Sequence, residues 1–409
     1  MINITKVYAD HATTGDPLRY GEDGPRNVTH GHHFNDHEKA ASAAERRPVV
    51  VWNVTRKCNL ACVHCYTDSC NRDYPDELSN VEGKALIDDL AKFKIPALLF
   101  SGGEPLIRPD LLDLAAYALS KGLRPVLSTN GTLIDESVAR RLKDLGFIYV
   151  GISLDGLEGV NDKFRGVAGA FQRAMAGFRN CRAVGQRVGL RLTLTRRNVI
   201  DLNGIFDFIL EEKIPRACFY HLVYSGRGRN LSGEDLTHEE SKEALDIICR
   251  RTSEAIKAGI DLDVLTVDNH VDGPYIYLKL LKEDPGRAEK VRELLEWNGG
   301  GAFSSGVGIG CVDFVGNVHP DQFWQDLTIA NIRNTPFSKV WGEGKHPVLA
   351  GLRNRLPLLK GRCGACSWKD VCGGGFRVRA LRSTGDMWAA DPACYLTDEE
   401  IGAGARAKD

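Results

Sequence analysis

No stretch of the 409 residues approaches the roughly 18 consecutive apolar positions that a membrane-spanning helix needs. Charge of one sign is also missing. Lys and Arg number 53 against 54 Asp and Glu, a formal charge of −1, so nothing electrostatic draws the chain to nucleic acid or to an anionic membrane. The opening residues are polar and lack the apolar centre of a signal peptide, which predicts a cytoplasmic protein. No repeat of solenoid type occurs. Hydrophobic residues at 43% and charged residues at 26% exclude a disordered or fibrous chain. The length suits one barrel-sized domain with an appendage.

What the sequence does have is cysteine, 12 in all. Without an export signal, thiols stay reduced, and metal ligation is the better reading than disulfides. Cys58, Cys62, Cys65 and Cys70 lie early, Cys363, Cys366, Cys372 and Cys394 lie late, and Cys181, Cys218, Cys249 and Cys311 are scattered between. Two clusters of cysteines predict two metal sites.

Residues 1–47 show no sustained period and read as an irregular leader, with histidines at 30, 32, 33 and 37 that are more simply solvated than metal-binding. From position 48 to 230, β-branched runs alternate with segments whose apolar residues recur at three and four. The runs are VVVWNVT, ALLFSGG, RPVLSTN, FIYVGISLDG, VGLRLTLT and ACFYHLV. This alternation predicts βαβ units and a parallel sheet, an α/β fold built as a partial, open barrel of six (β/α) units. Residues 231–305 read as a helical connector, and 306–409 as a small domain held by metal rather than by a large core. The glycine-rich run at 298–310 lacks the strand-then-helix setting of a nucleotide fingerprint and reads as a loop.

Cys58, Cys62 and Cys65 form CxxxCxxC directly after the first expected barrel strand. Three thiolates can hold three irons of a [4Fe-4S] cube and leave the fourth open. A closed zinc site with Cys70 as fourth ligand is the alternative. Ser101, Gly102, Gly103, Glu104 and Pro105 follow the second of these strands, where two glycines permit close backbone approach to a ligand and a carboxylate can receive an ammonium group. GGEP alone is more often a plain turn; one βα unit after CxxxCxxC it gains weight.

The segment CNLACVHCY resembles the signature of the radical S-adenosylmethionine superfamily. That resemblance implies a cluster whose open iron chelates S-adenosylmethionine, with Tyr66 beside the last cysteine and Gly102, Gly103 and Glu104 at the methionine amino group. It also implies that Asn130, Ser153, Asp155 and Arg165 contact the cofactor's ribose or carboxylate; without it, they read as turn, cap and surface residues.

The late cysteines read CxxCxxxxxC, with Cys394 a further 22 positions on. A zinc ribbon is the alternative here. The arrangement resembles the SPASM domain of radical S-adenosylmethionine enzymes and implies one auxiliary [4Fe-4S] cluster on Cys363, Cys366, Cys372 and Cys394. The pattern's second auxiliary site lacks its cysteines, because Phe376 and Asp321 stand in their places. Cys311, Cys70, Cys181, Cys218 and Cys249 then read as buried thiols.

A wider resemblance runs through TKVYADHATTGDPLRYG, HLVYSGRGRN and RVRALRSTGDMWAADPACYLTDEEIG, and is to the radical S-adenosylmethionine enzymes that trim siroheme-derived tetrapyrroles. It implies removal of two acetate side chains from 12,18-didecarboxysiroheme, giving iron-coproporphyrin III. The alternatives are removal of two propionates from the same substrate on the way to heme d1, or a SPASM enzyme that modifies a ribosomal peptide. A plain iron-sulfur carrier would not need the GGEP loop. The implied partners are the modified siroheme and an electron donor such as a flavodoxin or ferredoxin. Arg227 and Arg229, just past the sixth barrel strand, would point into the barrel mouth to hold substrate carboxylates. No general base or nucleophile stands out.

Overall fold

The structure is a computed structural model that describes residues 1–13, 47–297 and 300–402. Its strands, in chain order, are β1 (Ile2–Asn3), β2 (Val49–Thr55), β3 (Leu98–Gly102), β4 (Pro125–Thr129), β5 (Tyr149–Ser153) and β6 (Val188–Leu194). They continue with β7 (Arg216–His221), β8 (Asp263–Val267), β9 (Ile309–Val312), β10 (Asn317–His319) and β11 (Ala330–Asn331). All belong to one open mixed sheet, ordered β1-β8-β7-β6-β5-β4-β3-β2-β9-β10-β11. The six expected barrel strands are β2 to β7, parallel throughout.

Helices cover the outer face, and local sequence sets where they start. Ser79 and Glu82 form a capping box for the helix Asn80–Lys92, whose Leu86, Ile87 and Leu90 are buried. Thr237 and Glu240 do the same for His238–Lys257. Asp135 caps Glu136–Leu145, which ends at Gly146 with φ 88°. Strand residues of the opposite alternation face inward. In β6, Leu190, Leu192 and Leu194 join the core under the helices while Arg191 and Thr193 are only part-buried.

Three boundaries differ from the sequence reading. The leader expected to be irregular begins with β1 and the helix Ile4–Val7. The strand pairs antiparallel with β8, and Ile2, Ile4 and Val7 enter the core. The histidines at 30 to 37 lie outside the described residues. The connector expected to be helical contains β8, which extends the parallel sheet beside β7. The C-terminal part is not held by metal alone: β9 runs parallel to β2 and continues the sheet. Phe337 and Trp341 stack at 5.2 Å and belong to the main core. Apolar burial had been underestimated there because its elements are short and its apolar residues lack a period. No helix among the described residues is long and apolar enough to cross a membrane.

Candidate cluster and cofactor site

The C-terminal ends of β2 to β6 meet at one rim, and the loop after β2 crosses it. Cys58 and Cys62 are buried there and Cys65 is half-buried, all in one small apolar cluster with Leu60 and Ala170. Each sulfur accepts a hydrogen bond or lies beside a donor. Leu60 N donates to Cys58 Sγ at 3.4 Å, Ser69 N to Cys65 Sγ at 3.4 Å and Arg165 Nη1 to Cys62 Sγ at 3.6 Å. Burial raises the Cys58 thiol to about 12 and pushes Cys62 up as well, so a metal must displace protons to take them as ligands. Cys70 is exposed; its carbonyl accepts from Cys58 N at 3.1 Å and closes the loop, which leaves no fourth thiol in this apolar cluster.

The GGEP loop docks under the cysteine loop. A Cβ on Gly102, at φ +130°, would meet Thr55 O at 2.3 Å, and one on Gly103 would meet Lys57 O at 2.2 Å. Backbone contacts take that space: Gly103 N donates to Thr55 O at 2.8 Å and Glu104 N to Lys57 O at 2.9 Å. Glu104 is fully buried. It accepts from Thr129 Oγ1 at 2.7 Å, Asn130 N at 2.8 Å and Leu106 N at 3.1 Å. Glu104 therefore has a structural role as well. It ties β3 to the end of β4, with one of a carboxylate's four lone-pair sites left for an ammonium.

Asn130 also works inside the fold. Its Oδ1 accepts from Thr132 N at 2.9 Å, and its Nδ2 donates to Asn59 Oδ1 at 2.8 Å. Ser153 is half-buried at the end of β5. Asp155 is buried and pairs with Arg165, while Thr193 N donates to its Oδ1 at 2.8 Å. Its carboxylate thus positions the guanidinium. Arg165 Nε is buried without a partner in the protein, a donor left for an anionic ligand. Tyr66 OH donates to Asn53 Oδ1 at 3.0 Å and lies 3.0 Å from Ser101 Oγ. His64, which sequence reasoning passed over, packs at a tilt against Phe164 with ring centroids 4.6 Å apart, and burial lowers its pKa to about 4.

Arg227 and Arg229 both have partners within the protein. Arg227 Nε donates to Cys62 O at 2.8 Å and its Nη1 to Asp68 Oδ1 at 2.7 Å, so it clamps the cysteine loop from outside. Arg229 pairs with Asp326 at 3.3 Å, half-exposed. Their position after β7 points toward the barrel mouth in sequence, but the chain turns there into a 3-10 helix, Gly226–Glu234, that lies along the cysteine loop.

The late cysteines converge as expected. Cys363, Cys366, Cys372 and Cys394 line one cavity. Trp368 N donates to Cys366 Sγ at 3.3 Å and Arg362 Nη1 to Cys394 Sγ at 3.4 Å. Among the described residues no three His, Cys, Asp or Glu side chains close on a single ion. Cube corners stand further apart than zinc ligands do. Both thiol sets fit an iron-sulfur cluster by donor type, burial and hydrogen bonds to sulfur.

Where the SPASM pattern has further cysteines, Phe376 packs its ring on Phe323 at 5.5 Å, and Phe323 packs on Tyr66 at 5.3 Å. Asp321 is buried against Ser305 and accepts from Phe323 N at 2.7 Å. Burial raises its pKa to about 6, and burial with Asp321 nearby raises Asp268 to about 7. Cys311 is buried on β9 and accepts from Asn53 Nδ2 at 3.6 Å.

An open, largely parallel sheet whose rim carries two buried cysteines and one half-buried one over a GGEP loop defines a class, and comparison agrees. Residues 52–209 match the Radical SAM superfamily. The chain belongs to that superfamily and is a radical S-adenosylmethionine enzyme. It is 54% identical to the Fe-coproporphyrin III synthase of Methanosarcina barkeri, over 98% of this chain and 99% of that protein. It is 46% identical to the pre-heme d1 synthase of Dinoroseobacter shibae, over 87% and 88% of the two chains. In fold it is similar to Streptococcus suis SuiB bound to precursor peptide SuiA, with TM-score 0.67 and 18% identity over 86% of this chain and 76% of that one.

Proposed function

We propose that this enzyme removes the two acetate side chains of 12,18-didecarboxysiroheme and releases iron-coproporphyrin III, in heme biosynthesis. The observation that carries the reading is the 54% identity, end to end, with an Fe-coproporphyrin III synthase. The pre-heme d1 synthase is less similar over a shorter span, which makes propionate removal the second reading. The likeness to SuiB is one of fold and gives a peptide substrate no weight. Twelve cysteines without a disulfide suit a reducing cytoplasm.

Cys58, Cys62 and Cys65 would hold the primary cluster, and Cys363, Cys366, Cys372 and Cys394 one auxiliary cluster fed by a flavodoxin or ferredoxin. Such a cluster supplies one-electron cleavage of S-adenosylmethionine to a 5′-deoxyadenosyl radical. The protein's part is placement. Arg165, aligned by Asp155, offers its free Nε to the cofactor carboxylate. Glu104 keeps one acceptor site toward the cofactor's ammonium, and the Gly102–Gly103 backbone keeps the methionine end close to the cysteine loop. Tyr66 closes the floor beneath through Asn53 and Ser101.

The test is anaerobic turnover of the reconstituted enzyme with S-adenosylmethionine, a reductant and 12,18-didecarboxysiroheme. Mass spectrometry should find 5′-deoxyadenosine and a tetrapyrrole lighter by two acetates; loss of two propionates would transfer the assignment to the second reading. Iron and sulfide should be about eight each per chain, falling to about four when Cys58, Cys62 and Cys65 are all changed to Ala. A content near twelve would mean a third cluster.

A further inference from the structure

We infer that Arg191 is a carboxylate anchor inside the barrel, and that the carboxylate it takes belongs to the tetrapyrrole. The inference rests on the substrate reading above. Arg191 sits on β6 between Leu190 and Leu192, whose side chains join the core beneath the helices, so its own side chain emerges on the inner face of the sheet.

The neighbouring strand makes room for it. Arg191 lies over Gly151 of β5, where a Cβ would come within 2.4 Å of the guanidinium Nε. On β6 itself, a Cβ on Gly189 would come within 2.5 Å of the Tyr149 hydroxyl. These two glycines pair in register, and neither has a positive φ, so space and not backbone conformation is what they supply. The result is a floor on which a guanidinium and a phenol lie flat across adjacent strands.

The cation on that floor has no counterion. Nη1 donates to Ser128 Oγ at 2.5 Å, while Nε is buried with no partner. Around it stand the side chains of Tyr220, Tyr149 and Tyr66, and among the described residues no Asp or Glu pairs with it. The contrast with its neighbours is direct. Arg216 on β7 is held by Asp263 at 2.6 Å, and Arg165 is held by Asp155. A part-buried guanidinium whose Nε is shut off from solvent and from any carboxylate is suited to a ligand that brings the charge, and its fork of donors matches a carboxylate best.

Two sources of carboxylate are available in the proposed reaction: the acetate and propionate side chains of the tetrapyrrole, and the amino-acid end of S-adenosylmethionine. Arg165, beside the cysteine loop, already serves the second. Arg191 stands opposite Ser153 in register on the inner face of the sheet, and its charge reaches Tyr66, so a substrate side chain entering the barrel beside the cofactor would meet it there. Sequence reasoning missed it because Arg in the run VGLRLTLT reads as an interruption; the period-2 pattern was the available signal.

The test is an anaerobic absorbance titration of the cluster-containing protein with iron-coproporphyrin III and with its methyl ester. Arg191→Met should weaken binding of the free acid by roughly tenfold or more and leave the ester unchanged. Arg191→Lys should recover part of the loss, because it restores charge but not the fork. Iron content serves as the folding control, and if Arg191→Met loses iron, Arg191→Lys carries the test with a several-fold loss for the acid alone. Equal loss for acid and ester, or no loss for either, would overturn the assignment. So would a drop in S-adenosylmethionine affinity with porphyrin affinity intact. If the unmodified protein binds neither porphyrin, the substrate reading falls and the assignment falls with it.

Discussion

Glu104 carries two loads that its place in a GGEP turn does not separate. Its oxygens face three donors, from Thr129, Asn130 and Leu106, in a site without solvent. Replacing one oxygen by an amide sets donor against donor, so Glu104→Gln should cost about 2 kcal/mol of stability. A lower urea midpoint for the variant checks this, and an unchanged midpoint would return the residue to a purely cofactor-binding role. Burial pushes this carboxyl up on balance, with the hydrogen bonds from Asn130, Thr129 and Leu106 acting against the shift. Asp155 shows the same division of labour: expected at the cofactor, it is spent on Arg165 and the Thr193 amide.

Among elements, the least expected is the N-terminal segment. Its strand is two residues long and has little intrinsic stability, so tertiary bonds must hold it. Thr5 supplies two of them: its hydroxyl donates to Leu262 O at 2.8 Å and accepts from Val264 N at 2.9 Å, fully buried. Thr5→Val keeps the shape and removes both, leaving a buried carbonyl and amide unsatisfied at the entry to β8. A loss of about 2 kcal/mol or more follows, read as a lower denaturation midpoint, with faster amide exchange at Val264 as the local signature.

Taken whole, the molecule has a sheet that runs without a break from β1 to β11, and the C-terminal part is bolted to the helix Asn80–Lys92. Arg333 pairs with Glu82 at 2.6 Å, and Ser338 N donates to Asp89 at 2.9 Å. A domain held by its cluster alone would melt apart from the barrel. This architecture predicts a single calorimetric transition for the cluster-containing protein; a separate early transition of the C-terminal third would contradict the shared core.

The sequence by itself determined the parallel α/β order, all six barrel strands and both cysteine sets. These depend on local period and on fixed ligand spacing, which a short window contains. Only the tertiary structure decided where β1, β8 and β9 go, because pairing partners hundreds of residues apart leave no local trace. It also decided which charges are free. Arg227 and Arg229 look available in the chain but are bound to Cys62 O, Asp68 and Asp326. Arg191 looks unremarkable in the chain but lies unpaired on the barrel floor, because the glycine that makes its place is 40 residues away on the next strand. Charge satisfaction is a property of neighbours in space, and those neighbours exist only once the sheet has formed.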